Sequence, residues 1–208
     1  MKKPIVGILD YGIGNALSVK NSVTKLNYRT RLVSKKHEFE KINMLIIPGV
    51  GAYPAAMKRL HDYDLVDAVK SYVAGGKGLM GICLGMQLLA NHSNEQGFTE
   101  GLSLIPGDVQ SIDQSSWHIG WNTIDVNELS RFNDQISTSS FYFNHSYHFI
   151  TEPSYVVATT VVTTTPMASP ITSIVQKDNV MGVQFHPEKS QLAGLMLLKH
   201  SIKESLDV

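Results

Sequence analysis

Short apolar runs rich in β-branched residues alternate with amphipathic segments through the first half of the chain. The run Ile5–Leu9 predicts a strand, and the apolar residues of Ala16–Leu26 recur at helical spacing. The same pattern predicts further strands at Thr30–Val33, Met44–Ile47 and Leu79–Ile82, and further helices at Leu65–Val73 and Leu84–Ala90. Continuous apolar strands that alternate with helices indicate a parallel sheet covered on both faces.

The second half carries closely spaced strand patterns separated by short polar turns, which predicts hairpins and some antiparallel pairing. Strands are predicted at Val109–Ile112, Trp121–Val126, Ser140–Phe143, Tyr155–Val162, Ile171–Gln176 and Val180–Phe185. We interpret the threonine-rich run Thr159–Thr165 as strand because Val and Thr alternate in it. The amphipathic segment Gln191–Ser205 predicts a last helix. Together these patterns predict one α/β domain, residues 1–208, with a central mixed, mostly parallel sheet flanked by helices.

Composition narrows the class of protein. Lys and Arg number 18, as do Asp and Glu, so the chain has no net charge and no strong nucleic-acid footprint. Hydrophobic residues make up 43% and charged residues 17%, which is typical of a compact soluble domain. The single cysteine excludes an intramolecular disulfide and fits a reducing compartment. No run approaches the roughly 20 apolar residues of a membrane helix, so we expect a cytoplasmic protein.

The sharpest chemical signal is a cysteine between two glycines at a predicted strand-to-helix turn. The segment Gly81-Ile82-Cys83-Leu84-Gly85 has the G-x-C-x-G form of a nucleophile elbow, with cysteine in place of serine. Such a turn presents the central side chain at a helix N-terminus, where the positive end of the helix dipole favours a thiolate. A buried cysteine that packs as a small hydrophobe is the alternative, and the flanking glycines argue against it.

A histidine and a glutamate follow the last predicted strand. In an extended chain residues i and i+2 point to the same side, so we expect the side chains of His186 and Glu188 to lie together. Pro187 favours that extended geometry at His186. A surface His–Glu pair is the common alternative. Combined with Cys83, however, the pair predicts a Cys–His–Glu set that activates a thiol and later protonates a leaving amine.

A glycine-rich turn closes the third predicted strand. Elbow hydrolases stabilise an oxyanion with one N–H from the residue after the nucleophile and another from an earlier strand–helix loop. Leu84 and the loop of Gly49, Val50 and Gly51 occupy those two positions in the sequence. The loop motif alone fits a plain turn equally well.

Two other kinds of site are disfavoured. Gly12 and Gly14 match the first two glycines of a dinucleotide fingerprint, but the third position is Leu17 and residues 31–36 hold no acid for a ribose. His145 and His148 lie three apart in a strand pattern and so face opposite sides, and no C-x-x-C motif exists. We therefore expect neither a metal nor a cofactor.

With this triad in place the chain resembles the class I, triad-type glutamine amidotransferases, which implies their flavodoxin-like α/β fold. Further segments resemble the glutaminase subunits of imidazole glycerol phosphate synthase, in the same order and over nearly the whole chain. They are Ile8–Asn15, Pro48–Ala52, Gly81–Leu89, His118–Asn122, Tyr142–Tyr147 and Gln184–Ser190. The elbow and the H-P-E motif are shared by many amidotransferases, whereas the H-x-G-W-N and Y-F-x-H-S-Y motifs discriminate among them.

The resemblance implies that the chain hydrolyses L-glutamine to glutamate and ammonia through a thioester on Cys83. It places Gln87, Glu95 and the backbone of Ser146 and Tyr147 around the glutamine, with Glu95 holding the α-ammonium group. No cofactor is implied for this half-reaction.

The resemblance also implies a heterodimer with a (β/α)8-barrel synthase subunit. That partner would use the ammonia to make imidazole glycerol phosphate and an aminoimidazole carboxamide ribotide in histidine biosynthesis. The residues implied to lie near the partner are Trp121, Asn122, Tyr142 and Lys189.

Two positions depart from the family pattern, and three alternatives stay open. Asn144 stands where the family usually has an apolar residue, and Asn15-Ala16 where Asn-Leu is frequent. A paralogous subunit that feeds ammonia to surface-sugar amidation would keep every motif quoted above. A cysteine peptidase-like hydrolase on a similar sheet would also use an elbow cysteine. A non-catalytic scaffold for the barrel subunit is the third alternative, and the intact Cys–His–Glu set argues against it.

Overall fold

A central sheet of eight strands organises the part of the chain that this computed structural model describes, residues 4–112, 117–127, 136, 138–161 and 170–206. Its strands are β1 (Ile5–Leu9), β2 (Arg29–Val33), β3 (Met44–Gly49), β4 (Gly78–Cys83), β9 (Asp125–Val126), β12 (Val156–Val161), β13 (Pro170–Lys177) and β14 (Val180–Val183). Their spatial order is β2-β1-β3-β4-β14-β13-β12-β9. The late strand β14 therefore lies beside β4 from the first half of the chain.

The direction of pairing changes once across this sheet. The pairs β2–β1, β1–β3, β3–β4 and β4–β14 are parallel. The pairs β14–β13, β13–β12 and β12–β9 are antiparallel. The mixed, mostly parallel sheet predicted from the sequence is thus confirmed.

Helices cover both faces of the sheet. They are α1 (Ala16–Lys25), α2 (Tyr53–Asp62), α3 (Val66–Ala74), α4 (Leu84–Gln87) and α5 (Gln191–Leu206). Strand β3 shows the division: Leu45 and Ile47 belong to a core shared with α2 and α3, whereas Met44 and Ile46 belong to a core shared with α1 and α5. This alternation explains why β3 is buried at every position. No helix within the described ranges is long and apolar enough to cross a membrane.

Two smaller sheets stand beside the central one. Strands β8 (His118–Thr123) and β10 (Ser140–His145) form an antiparallel pair, which we call the ribbon. A four-stranded sheet has the order β11-β7-β5-β6, from β5 (His92–Ser93), β6 (Thr99–Glu100), β7 (Asp108–Ser111) and β11 (Tyr147–Ile150). Only Ser146 separates β10 from β11, so the chain passes directly from the ribbon into this sheet.

Several predicted boundaries are wrong. Helix α4 ends at Gln87 rather than Ala90, and the strand predicted at Trp121–Val126 is divided between β8 and β9. Strand β14 ends at Val183 rather than Phe185. Helix α2 and the short strands β5 and β6 were not predicted, and the strand pattern that holds His145 and His148 is divided between β10 and β11. The end of the Thr159–Thr165 prediction, from residue 162, lies outside the described residues.

Candidate active site

The strand-to-helix turn at Cys83 has the geometry of an elbow. Cys83 ends β4 with φ 55° and ψ −112°, a backbone conformation that side chains other than glycine rarely adopt. A Cβ atom at Gly81 would overlap the Gly85 carbonyl oxygen, and one at Gly85 would overlap the Ile47 carbonyl oxygen. Gly81 is therefore required for the turn itself to close, and Gly85 for the turn to pack this closely against β3.

Strand β14 brings the histidine and the glutamate to the same edge of the sheet as Cys83. Val183 at the end of β14 pairs with Ile82 in parallel register, so both chains leave the sheet side by side. His186 Nδ1 lies 2.9 Å from Glu188 Oε1, and both side chains are buried. Their contact forms across the 3-10 turn Pro187–Lys189 and not along an extended strand, so that part of the prediction is wrong.

His186 interacts electrostatically with both other members of the set. Burial lowers the pKa of His186, but hydrogen bonds to Cys83 and Glu188 and the charges of both groups outweigh it and raise the pKa to about 9. The second oxygen of Glu188, Oε2, is buried without a partner in the described part of the chain. An imidazole held between a thiol and a carboxylate can carry a proton to and from the sulfur.

The loop after β3 lies against the elbow. Gly49 is the register partner of Cys83, and a Cβ on Gly49 would lie 2.8 Å from both Leu84 Cβ and Gly85 N. Gly51 has φ +97°, and the side chain of Val50 is exposed. The Gly49–Gly51 loop and the Leu84 backbone thus meet beside the thiol, as the elbow pattern predicts.

Tyr11, which the sequence analysis did not single out, supports the loop after β3 through the Pro48 carbonyl. Its buried hydroxyl donates to the Pro48 carbonyl at 3.0 Å. Burial and the nearby charge of Cys83 raise the pKa of Tyr11 well above its usual value. The glycine-rich turn after β1 therefore contributes to the thiol site, although its sequence imitates a dinucleotide motif.

The residues implied to surround glutamine lie in two places, Gln87 with the Ser146–Tyr147 segment and Glu95 at the start of α2. Gln87 is buried, and its Nε2 donates to the Tyr147 carbonyl at 2.9 Å and to Gln184 Oε1 at 3.1 Å. Its side-chain amide is thus engaged within the protein, next to the Ser146–Tyr147 segment. Glu95 Oε2 accepts the N–H of Tyr53, the first residue of α2, at 2.8 Å, and burial raises the pKa of Glu95. Helix α2 follows the Gly49–Gly51 loop by one residue, Ala52.

Of the residues implied to face a partner, Trp121, Tyr142 and Lys189 lie together on the outer face of the ribbon and the turn after His186. Asn122 points to the inner face, with His118 and Phe141. The Trp121 and Tyr142 rings meet edge to face at 5.9 Å, and Lys189 Nζ lies 5.6 Å from the Tyr142 ring centre. Trp121 is 47% exposed, unusual for so large an apolar side chain. The Tyr142 carbonyl accepts the His186 N–H at 2.9 Å, which joins this surface to the triad.

The departure at Asn144 has a structural explanation. Trp117 Nε1 donates to Asn144 Oδ1 at 2.9 Å, beside the register pair Ile119 and Asn144 of the ribbon. The Asn144 carbonyl lies 4.0 Å from Cys83 Sγ. An indole partner therefore satisfies the amide that replaces the usual apolar side chain, next to the thiol.

Comparison with protein families gives the class of this chain. Residues 7–203 match the family described as glutamine amidotransferase class-I. A crystal structure of a glutamine amidotransferase covers 98% of the chain with a TM-score of 0.73 and 21% identity, over 99% of its own length. At that identity the likeness shows the fold alone. The chain belongs to the class-I glutamine amidotransferase family.

Curated relatives narrow the family further. The imidazole glycerol phosphate synthase subunit HisH of Lacticaseibacillus casei is 41% identical over 94% of this chain and 93% of its own length. The HisH subunit of Listeria monocytogenes serovar 1/2a is 36% identical over the same shares. That of Prochlorococcus marinus is 38% identical over 95% of this chain. Within the amidotransferases, the chain is a member of the HisH family.

Proposed function

We propose that this chain is the glutaminase subunit of an imidazole glycerol phosphate synthase. It hydrolyses L-glutamine and passes the ammonia to a (β/α)8-barrel subunit in histidine biosynthesis. The observation that carries the proposal is Cys83 on a strained elbow, at the same sheet edge as His186, which is bonded to Glu188 and whose pKa is raised by both groups. We take residues 1–208 as one amidotransferase domain, acting in the cytoplasm, where its single thiol stays reduced.

The triad accounts for both steps of glutamine hydrolysis, the formation of a thioester and its hydrolysis. The Cys83 thiolate attacks the side-chain carbonyl carbon of glutamine, and the carbonyl electrons move to oxygen. The oxyanion lies beside the N–H groups of Leu84 and the Gly49–Gly51 loop. The His186 imidazolium protonates the leaving nitrogen, which departs as ammonia and leaves a thioester. The neutral His186 then takes a proton from water, whose oxygen displaces the thiol and releases glutamate.

The surroundings of the thiol suit an amino-acid side chain. We assign the Ser146–Tyr147 backbone to contacts with glutamine and Glu95 to its α-ammonium group. One oxygen of Glu95 accepts the N–H of Tyr53, and we assign the other oxygen to the substrate. Gln87, whose amide bonds to the Tyr147 carbonyl, shapes this wall rather than presenting a free amide.

The surface of Trp121, Tyr142 and Lys189 is our candidate for the partner interface, with Asn122 behind it on the inner face of the ribbon. An exposed Trp121 ring against the half-buried Tyr142 ring is typical of the aromatic residues found in interface hot spots. The His186 N–H bonds directly to the Tyr142 carbonyl, which supports a short distance between this surface and the triad. Ammonia released at Cys83 would then have a short path to a subunit seated there.

A paralogous subunit that supplies ammonia for surface-sugar amidation is the second candidate, because it would keep every motif of the site. Identity of 35–41% to HisH subunits of several bacteria favours histidine biosynthesis. A cysteine peptidase-like hydrolase is the third candidate and predicts turnover of peptide substrates.

The deciding experiment is to purify the chain with the imidazole glycerol phosphate synthase barrel subunit of the same organism. Glutamate release and product formation are then measured with glutamine as the nitrogen source. We expect one glutamate for each imidazole glycerol phosphate formed. Failure to bind that barrel subunit, together with glutamine turnover alongside a sugar-amidating barrel, would favour the paralogue. Peptide cleavage without glutamine turnover would support the hydrolase instead.

A further inference from the structure

A continuous line of hydrogen bonds runs through the interior from the ribbon to the thiol. Asn122 Nδ2 lies 2.8 Å from His118 Nε2, and His118 Nδ1 lies 2.8 Å from His145 Nε2. His145 Nδ1 lies 2.7 Å from the Tyr147 carbonyl oxygen. That oxygen also accepts from Gln87, which continues to Gln184, and Gln184 Nε2 lies 3.8 Å from Cys83 Sγ.

The carbonyl end fixes the protonation of both histidines. A carbonyl oxygen only accepts, so His145 must carry its proton on Nδ1. His145 Nε2 is then an acceptor, and His118 must donate to it from its own Nδ1. His118 Nε2 is left as an acceptor, which requires the Asn122 amide nitrogen to donate.

The Asn122 end of the line independently requires the same protonation of the two histidines. The second hydrogen of Asn122 Nδ2 donates to the Val161 carbonyl at 3.3 Å. This bond orients the amide, because its oxygen would repel the carbonyl of Val161. The Asn122 nitrogen therefore faces His118. Both ends require neutral histidines protonated on Nδ1.

The surroundings hold the two rings in this state. His118 and His145 are 4% and 6% exposed, and His118 stacks on Phe143 with ring centres 4.4 Å apart. Burial lowers the pKa of His145 to about 3, against the bond to Tyr147, and lowers that of His118 to about 4. Gln87 and Gln184 are buried as well. A fully satisfied polar line in a buried setting is rigid and defines one geometry.

We propose that His118 and His145 are positioning residues for the Cys83 thiol and that this line couples the ribbon at Asn122 to the thiol. The coupling rests on the proposed role of Cys83 as the nucleophile and deepens it. His145 holds the Tyr147 carbonyl, which orients Gln87. Gln87 in turn orients Gln184, so that its amide N–H points at the sulfur and stabilises the thiolate. A partner that shifts the ribbon from its outer face at Trp121 also moves Asn122, and the line transmits this displacement to the sulfur.

The first test is independent of catalysis. We expect imidazole ¹⁵N spectra of the native protein to show both His118 and His145 protonated on Nδ1 and not on Nε2. Substitutions His118→Gln and His145→Gln assign the signals. Asn122→Asp places an acceptor against His118 Nε2, so we expect His118 to gain a second N–H while His145 is unchanged. An Nε2–H tautomer at either histidine of the native protein would overturn the proposal.

The second test measures the thiol directly, since Cys83 is the single cysteine and iodoacetamide reports on it alone. We expect His145→Phe to slow alkylation about tenfold, the equivalent of one lost hydrogen bond to a charged group. His145→Asn keeps an amide donor for the Tyr147 carbonyl and should retain most of the rate. Phe149→Leu, a buried change on the same strand as Tyr147, is the matched control and should leave the rate unchanged.

The direction of the change in alkylation rate distinguishes a positioning role of His145 from a merely structural one. A merely structural role for His145 would open the site, expose the thiol and speed alkylation. Faster or unchanged alkylation in His145→Phe, or equal slowing in Phe149→Leu, would contradict the proposal. Should His145→Phe not fold, Gln184→Met tests the same line from the sulfur end, with the same slowing expected. If the native protein has no glutaminase activity, the proposed function is refuted. The ¹⁵N and alkylation tests of the hydrogen-bonded line would remain valid.

Discussion

Each reactive side chain of the site is defined by a neighbour that fixes its charge or direction. His186 is held by Glu188 on one side and Cys83 on the other, and the thiol lies near the amide of Gln184. Tyr11 and His145 touch carbonyl oxygens rather than the triad. The residues that react are thus fewer than those that hold them in place.

Replacing Cys83 by alanine should separate the two halves of the reaction. We expect glutamine-dependent synthesis to vanish, because the thiol forms the covalent intermediate, while synthesis from added ammonium salts persists in the presence of the barrel partner. Glutamate release and product formation are measured in parallel. Unchanged glutamine turnover in Cys83→Ala would remove the thiol from the mechanism.

The histidine and glutamate should differ in importance. His186→Ala should be nearly as damaging as loss of the thiol, since His186 both accepts and donates the proton. Glu188→Gln keeps the shape of the orienting group, so we expect a smaller loss of kcat. Both variants are compared at saturating glutamine, with Cys83→Ala as the reference for complete loss. A greater loss in Glu188→Gln would reverse the roles assigned here.

The raised pKa of His186 predicts a dependence of stability on pH. The folded-state pKa of about 9 exceeds the ordinary value of 6.5, so this contribution to stability is complete below about pH 6.5 and is lost as pH rises through about 9. Glu188→Gln removes one of the groups that raise this pKa. The difference in unfolding free energy between wild type and Glu188→Gln should therefore shrink from pH 6.5 to pH 9. Urea unfolding measures it, and a constant difference would contradict the ion pair.

At the scale of elements, the elbow depends on glycine more than on the cysteine it presents. We expect Gly85→Ala to lower the unfolding free energy by about 2–4 kcal/mol, because the added methyl group overlaps the Ile47 carbonyl of β3. Gly75→Ala, at the end of α3, is the matched control, since its Cβ would lie at ordinary distances of 3.4–3.5 Å. Urea unfolding of both variants gives the comparison. Equal stability of the two would mean that β3 yields to the extra methyl group.

The sequence predicted the central strands well because their apolar runs are buried on both faces. Helix α2 was not predicted, although Tyr53, Ala56, Met57 and Leu60 follow helical spacing and are all buried. The short strands β5 and β6 give no periodic signal, because two residues cannot establish a period. Their positions come from pairing between distant segments.

The candidate site was predictable where chemistry leaves a local motif. Cys83 between glycines and the H-P-E motif each occupy a few consecutive residues. Tyr11, Gln184 and the pair His118 and His145 act through partners far along the chain, such as Pro48 at 37 positions from Tyr11. No spacing rule connects them. The polarity of a buried His118 or Gln184 is visible only once the fold shows that it is buried.

For the whole molecule, the site and the proposed partner surface meet at one edge, so regulation by the partner is expected. The isolated chain should release glutamate slowly and be stimulated about 10²–10³-fold by a barrel subunit carrying its substrate, the value of one oxyanion donor. The reason is the loop after β3, where Gly51 has φ +97° and Val50 is exposed, so its peptide planes can turn.

The measurement compares glutamate release by the chain alone, with the partner, and with the partner plus an acceptor analogue. A variant that lacks the thiol, Cys83→Ala, sets the background in each case. Equal rates in all three conditions would refute regulation through this loop and would leave the triad assignment intact.

The position of β14 between β4 and β13 has a consequence for folding during synthesis on the ribosome. Gln184, the residue after β14, contacts Cys83 from 101 positions further along the chain. At about 5–20 residues per second of synthesis, the cysteine emerges many seconds before the base that activates it. A nascent or truncated chain therefore carries the cysteine without His186 and Glu188, the residues that we propose activate it. Glutamine hydrolysis begins only when the last strands have been inserted, so unfinished chains cannot waste the cell's glutamine.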